Sequence, residues 1–167
     1  MTSAPRAFRS GQQGVTLIVA LIFLAILTLL GITVARTTSL EERMAGNTRD
    51  RDIAFQAAEA ALRDAAEQLE TNYLDDPFDG GTAGLVDVTG APHANSQAYW
   101  SGYDWEGDAL ESTVAIDAAV GAVPAPRYVI EKRGAGDPAY YRITVRGQGT
   151  NPNTVVILQA EYEHDAP

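Results

Sequence analysis

The sequence predicts an α+β fold in which one long N-terminal helix packs on a small C-terminal antiparallel β-sheet. Three observations carry this. Residues 15–35 contain no charge and no proline, and the apolar run passes without a break into an amphipathic helical pattern. The last third holds three segments in which β-branched and aromatic residues alternate with charged ones, PRYVIEKR, AYYRITVRGQG and NTVVILQAEYEH. The links between these segments, GAGDP and GTNPN, are short and rich in turn residues, so successive strands are expected to lie antiparallel.

The first element is the run GVTLIVALIFLAILTLLGITVAR. About twenty residues in a helix span a hydrocarbon core roughly 30 Å thick. Its polar side chains are Thr16, Thr28 and Thr33, whose hydroxyls can bond back to helix carbonyls and so need no outside partner. A soluble core helix would show a polar face every three or four residues, and this run shows none. Before it stands the leader MTSAPRAFRSGQQG, with Arg6 and Arg9 and no acid. No small-residue cleavage site of the secretory kind closes the run. The leader arginines are expected on the cytoplasmic side and the acidic remainder outside. Arg36 runs against that rule, but Glu41 and Glu42 soon follow it.

Beyond Arg36 the chain reads TTSLEERMAGNTRDRDIAFQAAEAALRDAAEQLETNYL. Leu40, Met44, Ala54, Ala58, Ala61, Leu62, Ala65 and Leu69 recur at helical spacing, with charged residues between them, Asp50 and Asp64 included. Glu59 and Arg63 stand four apart in the favourable order. A nearly continuous helix is expected from 15 to 70, roughly 80 Å long, ended by Asn72 and Pro77. Gly31 and the pair Gly46-Asn47 are points where it could bend. The Ala-rich stripe is the obvious cover for the sheet, with Ala58, Leu62 and Leu69 on the packing face.

Residues 75–126 are dense in Gly, Asp and Pro and read as loop, with a short helix or strand within 108–120, around 112–116. Tyr99, Trp100, Tyr103 and Trp105 cluster there, either as an exposed adhesive patch or, the preferred reading, as anchors of the loop to the sheet. Strands are expected near 127–133, 140–147 and 154–163. In the first, Tyr128, Ile130 and Lys132 share one face, and Val129 and Glu131 the other.

Composition excludes several function classes. The 167 residues carry 12 basic and 22 acidic side chains, a net charge of −10. From Thr71 onward five basic residues face fourteen acids, the wrong sign for a nucleic-acid surface. The absence of cysteine removes disulfides, thiolate zinc sites and thiol redox chemistry. Asp75, Asp76 and Asp79, and the alternating Asp104, Glu106 and Asp108, do not fit a calcium loop and read as solvated acids. His93 and His164 are isolated, and no nucleophile elbow, zinc-protease or P-loop motif occurs. No catalytic residue, metal or cofactor is expected.

A cationic leader ending in glycine directly before an apolar run resembles the class III signal of type IV pilins and pseudopilins. The strings LEERMAGN and RDRDIAFQAAEAALR, and more weakly YYRITVRGQG, narrow the resemblance to PilX-type minor pilins. It is strong over 14–69, partial over 127–162 and absent between. The resemblance implies a pilin-like fold. The layout is a leader at 1–14, a transmembrane and assembly helix at 15–36, an amphipathic helix at 37–70 and a head at 71–167. It implies cleavage by prepilin peptidase between Gly14 and Val15, with methylation of Val15. The implied partners are other minor pilins, the major pilin, the inner-membrane assembly platform and membrane lipid. The implied role is initiation of pilus assembly, at or near the fibre tip, with the head periplasmic and then at the cell surface.

Two departures from the wider family stand out. Most pilins carry glutamate as the fifth residue of the mature chain, where it meets the N-terminal amine of the subunit ahead; that position here is Val19. A subunit with nothing ahead of it does better with an apolar residue, since a buried unpaired carboxylate costs several kcal/mol. The head disulfide common among relatives is also missing. Two alternatives remain at this stage: a pseudopilin of a type II secretion apparatus, and a membrane-anchored adhesin or receptor whose helix is only a tether.

Overall fold

A computed structural model describes residues 13–89, 96–114, 123–134 and 139–164. The chain forms two compact units, residues 1–46 and 47–167, and helix α1 (Gln13–Gln68) runs through the boundary between them. The helix is unbroken at Gly31 and at Gly46-Asn47, the points where the sequence allowed a bend. In the first unit the hydroxyls of Thr28 and Thr33 donate to Leu24 O and Leu29 O at 2.7 and 2.9 Å, so the apolar run satisfies its own polar groups as expected.

The second unit is the head. α1 ends in a π-turn, Leu69–Tyr73, and Asn72 Nδ2 closes it by donating to Gln68 Oε1 at 2.6 Å. Five strands follow: β1 (Leu85–Asp87), β2 (Leu110–Glu111), β3 (Arg127–Lys132), β4 (Ala139–Gln148) and β5 (Val155–His164). A short helix, α2 (Gln97–Ser101), lies between β1 and β2, capped by Ser96 Oγ accepting from Tyr99 N at 3.2 Å. β3, β4 and β5 form the expected antiparallel meander, and β4 pairs with β5 over ten consecutive residues without a bulge.

Two features were outside the expectation. β1 joins the sheet parallel to β3, with Leu85 opposite Ile130, which makes the sheet mixed. β2 pairs antiparallel with β3 at Leu110 and Glu111, just before the 112–116 stretch; residues 115 and 116 lie outside the described set. A strand of two or three residues shows no period, and its pairing partner leaves no local trace in the sequence.

Each face of the sheet has its own cover. Ala58, Ala61, Ala65 and Leu69 of α1 pack on Tyr128, Ile130, Tyr141, Ile143 and Val145, all buried. Leu62 is partly buried at the margin of this cluster. Leu40 and Met44, which the periodicity put on the same stripe, are 60% and 68% exposed, so the buried stripe begins at Ala54. Phe78 also reaches this core. Its backbone is left-handed, φ 53°, with its N–H held by Asp76 Oδ1 at 3.0 Å, and its ring lies 5.7 Å from that of Tyr141.

On the opposite face Trp100, Trp105 and Ala109 pack on Val129, joined by the half-buried Tyr99, Tyr103 and Ile157. The aromatic segment is therefore an anchor. Trp105 Nε1 donates to Trp100 O at 3.0 Å and the Tyr103 hydroxyl to Asp108 O at 2.7 Å. Burial, with the Asp108 carboxylate nearby, pushes the Tyr103 phenol up to about 12. Asp104 caps its own loop, accepting from Glu106 N and Gly107 N at 3.2 and 3.0 Å.

Strand β4 touches the helix backbone itself. A Cβ at Gly147 would lie 2.2 Å from Ala54 O and 2.6 Å from Ala58 N. Gly147→Val should therefore lower head stability by about 3 kcal/mol or more, because neither backbone can yield without losing the cluster beneath it. Thermal melts followed by near-UV circular dichroism of Trp100 and Trp105 check this. Gly102→Ala, whose new Cβ would meet nothing nearer than 3.6 Å, should melt like the parent.

Candidate assembly site

The sequence-predicted assembly residues fall in two places. Val15, Leu17, Ile18, Val19, Leu21 and Ile22 belong to the first unit, and every large apolar side chain from Val15 to Val34 is at least 46% exposed. Val19 is the least exposed of these, at 46%. The helix is long and apolar enough to cross a membrane, and its apolar window has no buried residue. Such a surface is unstable in water at about 25 cal/mol per Å² of apolar area and requires lipid or other protein around it. Gly14 is exposed and has open space around its Cα. Arg6 and Arg9 lie outside the described residues.

Ala58, Leu62 and Leu69 belong to the second unit, at the junction of helix and sheet. Three polar anchors that the sequence did not reveal hold the same unit together. Asp50 was read as part of a solvated face but is only 9% exposed. Its Oδ1 accepts from Thr150 N at 2.7 Å and from the Thr150 hydroxyl, and Asn151 N approaches at 3.3 Å. The β4–β5 turn is thereby tied to the helix. Gly149 makes room for this, since a Cβ there would fall 2.7 Å from Asp50 Oδ1. The hydroxyl bonds of Thr150 and Thr154 hold the Asp50 carboxyl below the usual carboxylate range.

Asp64 does the same one layer along. It is 7% exposed and accepts from the Ser112 hydroxyl, from Thr113 N at 2.8 Å and from Thr113 Oγ1 at 2.7 Å. Burial alone would raise its pKa, but the Ser112 and Thr113 bonds outweigh burial and the net shift is downward. The third anchor lies within the sheet. Glu131 and Arg142 face each other across β3 and β4, 0% and 4% exposed at the side chain. Arg142 donates from Nε at 2.6 Å and from Nη2 at 3.0 Å to the two carboxylate oxygens. Losing Glu131 would strand the buried Arg142 charge, at about 3–5 kcal/mol.

The surface pair Glu59–Arg63 forms at 3.4 Å but is well exposed and contributes little. Among the described residues no group of acids and histidines could hold a metal ion. His93 lies outside them, and His164 ends β5.

Comparison with known proteins adds two findings. The model described as PilX N-terminal matches residues 13–63. The model described as Type IV pilus assembly protein PilX C-term matches residues 62–164. No curated protein and no solved structure matches the chain.

The two helix anchors predict acid sensitivity with a definite sign. Both carboxyls have lowered pKa values in the folded head and return to about 3.9 when unfolded. The unfolded chain therefore takes up protons first as pH falls, so the stability these two groups contribute is full well above the unfolded pKa, from about pH 5, and is lost progressively as pH falls through it toward the lower folded pKa. Asp64→Asn should cost about 1–3 kcal/mol at pH 7. Its deficit against the parent should shrink as pH falls below about 4, as urea melts at several pH values would show.

Proposed function

Because the chain belongs to the PilX family of type IV pilus assembly proteins, we propose that it is a minor pilin that joins other minor pilins to start the fibre. The observation that carries this reading is the division of labour along α1. Its first part presents an unbroken, exposed apolar surface, and its later part is locked into a head by alanine packing and carboxylate anchors. A subunit that moves from lipid into a fibre needs an apolar helix acceptable in both and a folded head that contacts neighbours.

In this reading prepilin peptidase cuts between Gly14 and Val15, and Val15 is then methylated. The leader arginines stay cytoplasmic while the head, rich in acids, is exported across the inner membrane. The major pilin and the assembly platform then act on the mature chain. Val19 supports a place at or near the tip. Without a carboxylate there, the subunit has no use for an amine ahead of it, while its own amine can still be neutralised by a following subunit. Assembly is then directional: this subunit can be followed and need not follow. The family assignment favours the pilus over a secretion pseudopilin.

Deleting the protein should reduce fibre number more than fibre stability, as counts and shear resistance of fibres by electron microscopy would show. Gly14→Glu should leave the full-length precursor in the inner membrane, visible as a shift on an immunoblot. Val19→Glu should be neutral or harmful to fibre number, since its carboxylate would sit in lipid unpaired or protonated. A Val19→Glu subunit spread evenly along shafts, with initiation intact, would contradict the tip placement.

A further inference from the structure

On the sheet face that carries the aromatic anchor lies an open cleft of about 670 Å³, a volume of the order that holds a small organic molecule. All of its walls belong to the head unit. Two guanidinium groups, Arg51 and Arg146, line it together with two carboxylates, Asp104 and Glu106. Their formal charges cancel, and among the described residues no salt bridge joins one to another. Net charge therefore favours neither an anion nor a cation. What the cleft offers is separate donors and acceptors, which suits a neutral polar molecule.

Three of the lining groups are held in place yet keep capacity for a ligand. Asp104 Oδ1 is taken by Glu106 N and Gly107 N at 3.2 and 3.0 Å, which leaves Oδ2 without a donor among the described residues. Gly107 keeps that oxygen clear, since a Cβ there would fall 2.7 Å from it. Arg146 donates from Nη2 to Gln148 Oε1 at 3.1 Å, and its Nε and Nη1 donors meet no acceptor among the described residues. The half-buried Tyr103 ring lies 5.2 Å from the ring of Trp100 and 5.2 Å from that of Trp105. Its hydroxyl is tied to Asp108 O at 2.7 Å, so the ring cannot swing away. An acceptor, a donor and an aromatic ring already fixed in one cleft leave little to be ordered when a ligand binds.

We propose that this cleft binds a neutral carbohydrate, with one sugar hydroxyl donating to Asp104 Oδ2, another accepting from Arg146, and the C–H face of a sugar ring against Tyr103. A hydroxyl both donates and accepts, so neighbouring hydroxyls can satisfy a carboxylate and a guanidinium in the same site. The opposite face of a pyranose ring is largely C–H and packs on an aromatic ring as an apolar surface. Arg51 and Glu106, both exposed, extend the polar lining toward further hydroxyls. The site belongs to the folded head, so it stands or falls separately from the place of the subunit in a fibre.

The test uses the full chain in a polyoxyethylene detergent, which carries no sugar headgroup, with neutral trisaccharides of glucose, of galactose and of mannose as probes. Saturation-transfer NMR should show magnetisation reaching the ring C–H protons of at least one of them, with a Kd of about 1 mM. Asp104→Asn keeps an oxygen for the two loop amides and turns the other oxygen into a donor. It should weaken binding about tenfold or more while the near-UV circular dichroism of Trp100 and Trp105 stays as in the parent. Arg146→Met should weaken binding by a similar factor. Tyr140→Ser, which removes an exposed ring outside the cleft, should bind like the parent. No transfer to any of the trisaccharides at about 50 mM overturns the proposal, as does binding that Asp104→Asn and Arg146→Met both leave unchanged. So does displacement of the sugar by an equal concentration of glycine betaine or of an uncharged Ala-Ser pentapeptide, since the cleft would then be reading a zwitterion or a peptide chain.

Discussion

The head exists because strand β4 can lie directly on the backbone of α1. Gly147 removes the side chain on one side, and Ala54 and Ala58 reduce it to a methyl group on the other. At that separation neither element can shift without opening the layer beneath, where Ala61, Ala65 and Leu69 meet Tyr128, Ile143 and Val145. Larger helix residues would have provided more apolar area at a greater distance. Alanine gives up that area for proximity, and it also has the highest helix propensity, which suits an element of 56 residues. The large side chains of the core come from the sheet instead.

Close contact of apolar surfaces does not by itself fix position along the helix, and the buried carboxylates supply that. Asp50 binds the β4–β5 turn and Asp64 binds the segment after β2, so two loops far apart in sequence are tied to points four turns apart on one helix. Across the sheet, Glu131 and Arg142 lie beside the aromatic anchor formed by Trp100 and Trp105. With no disulfide available, the Asp64 anchor holds Ser112 and Thr113, and indole packing holds the segment from Tyr99 to Ala109, a task that cysteines perform in many exported domains.

The long helix and the three-strand meander were legible because each repeats its pattern over many residues. The aromatic run from Tyr99 to Trp105 was legible as an anchor because buried indoles need both an apolar body and a polar partner, and Trp105 finds one at Trp100 O. β1 and β2 were not legible, being too short to show a period. Asp50 and Asp64 looked like any acid on a solvated helix face, since partners 48 to 101 residues away leave no local signature. The apolar spacing extends further toward the N-terminus than the buried stripe: Leu40 and Met44 keep the spacing but are exposed in the single chain. Spacing reports which face a residue is on, and only the structure reports how far along that face the sheet extends.

The first part of α1 is apolar enough for a membrane and the head packs on its later turns, in a chain of the PilX family. In the function proposed, the apolar run becomes the start of the mature protein and stays with it into the fibre. Mass spectrometry of the N-terminal peptide from sheared, purified fibres tests this most directly. The predicted result is a chain beginning at N-methylated Val15. A peptide that retains Gln12, Gln13 and Gly14, or a chain cut after Ala35, would contradict it.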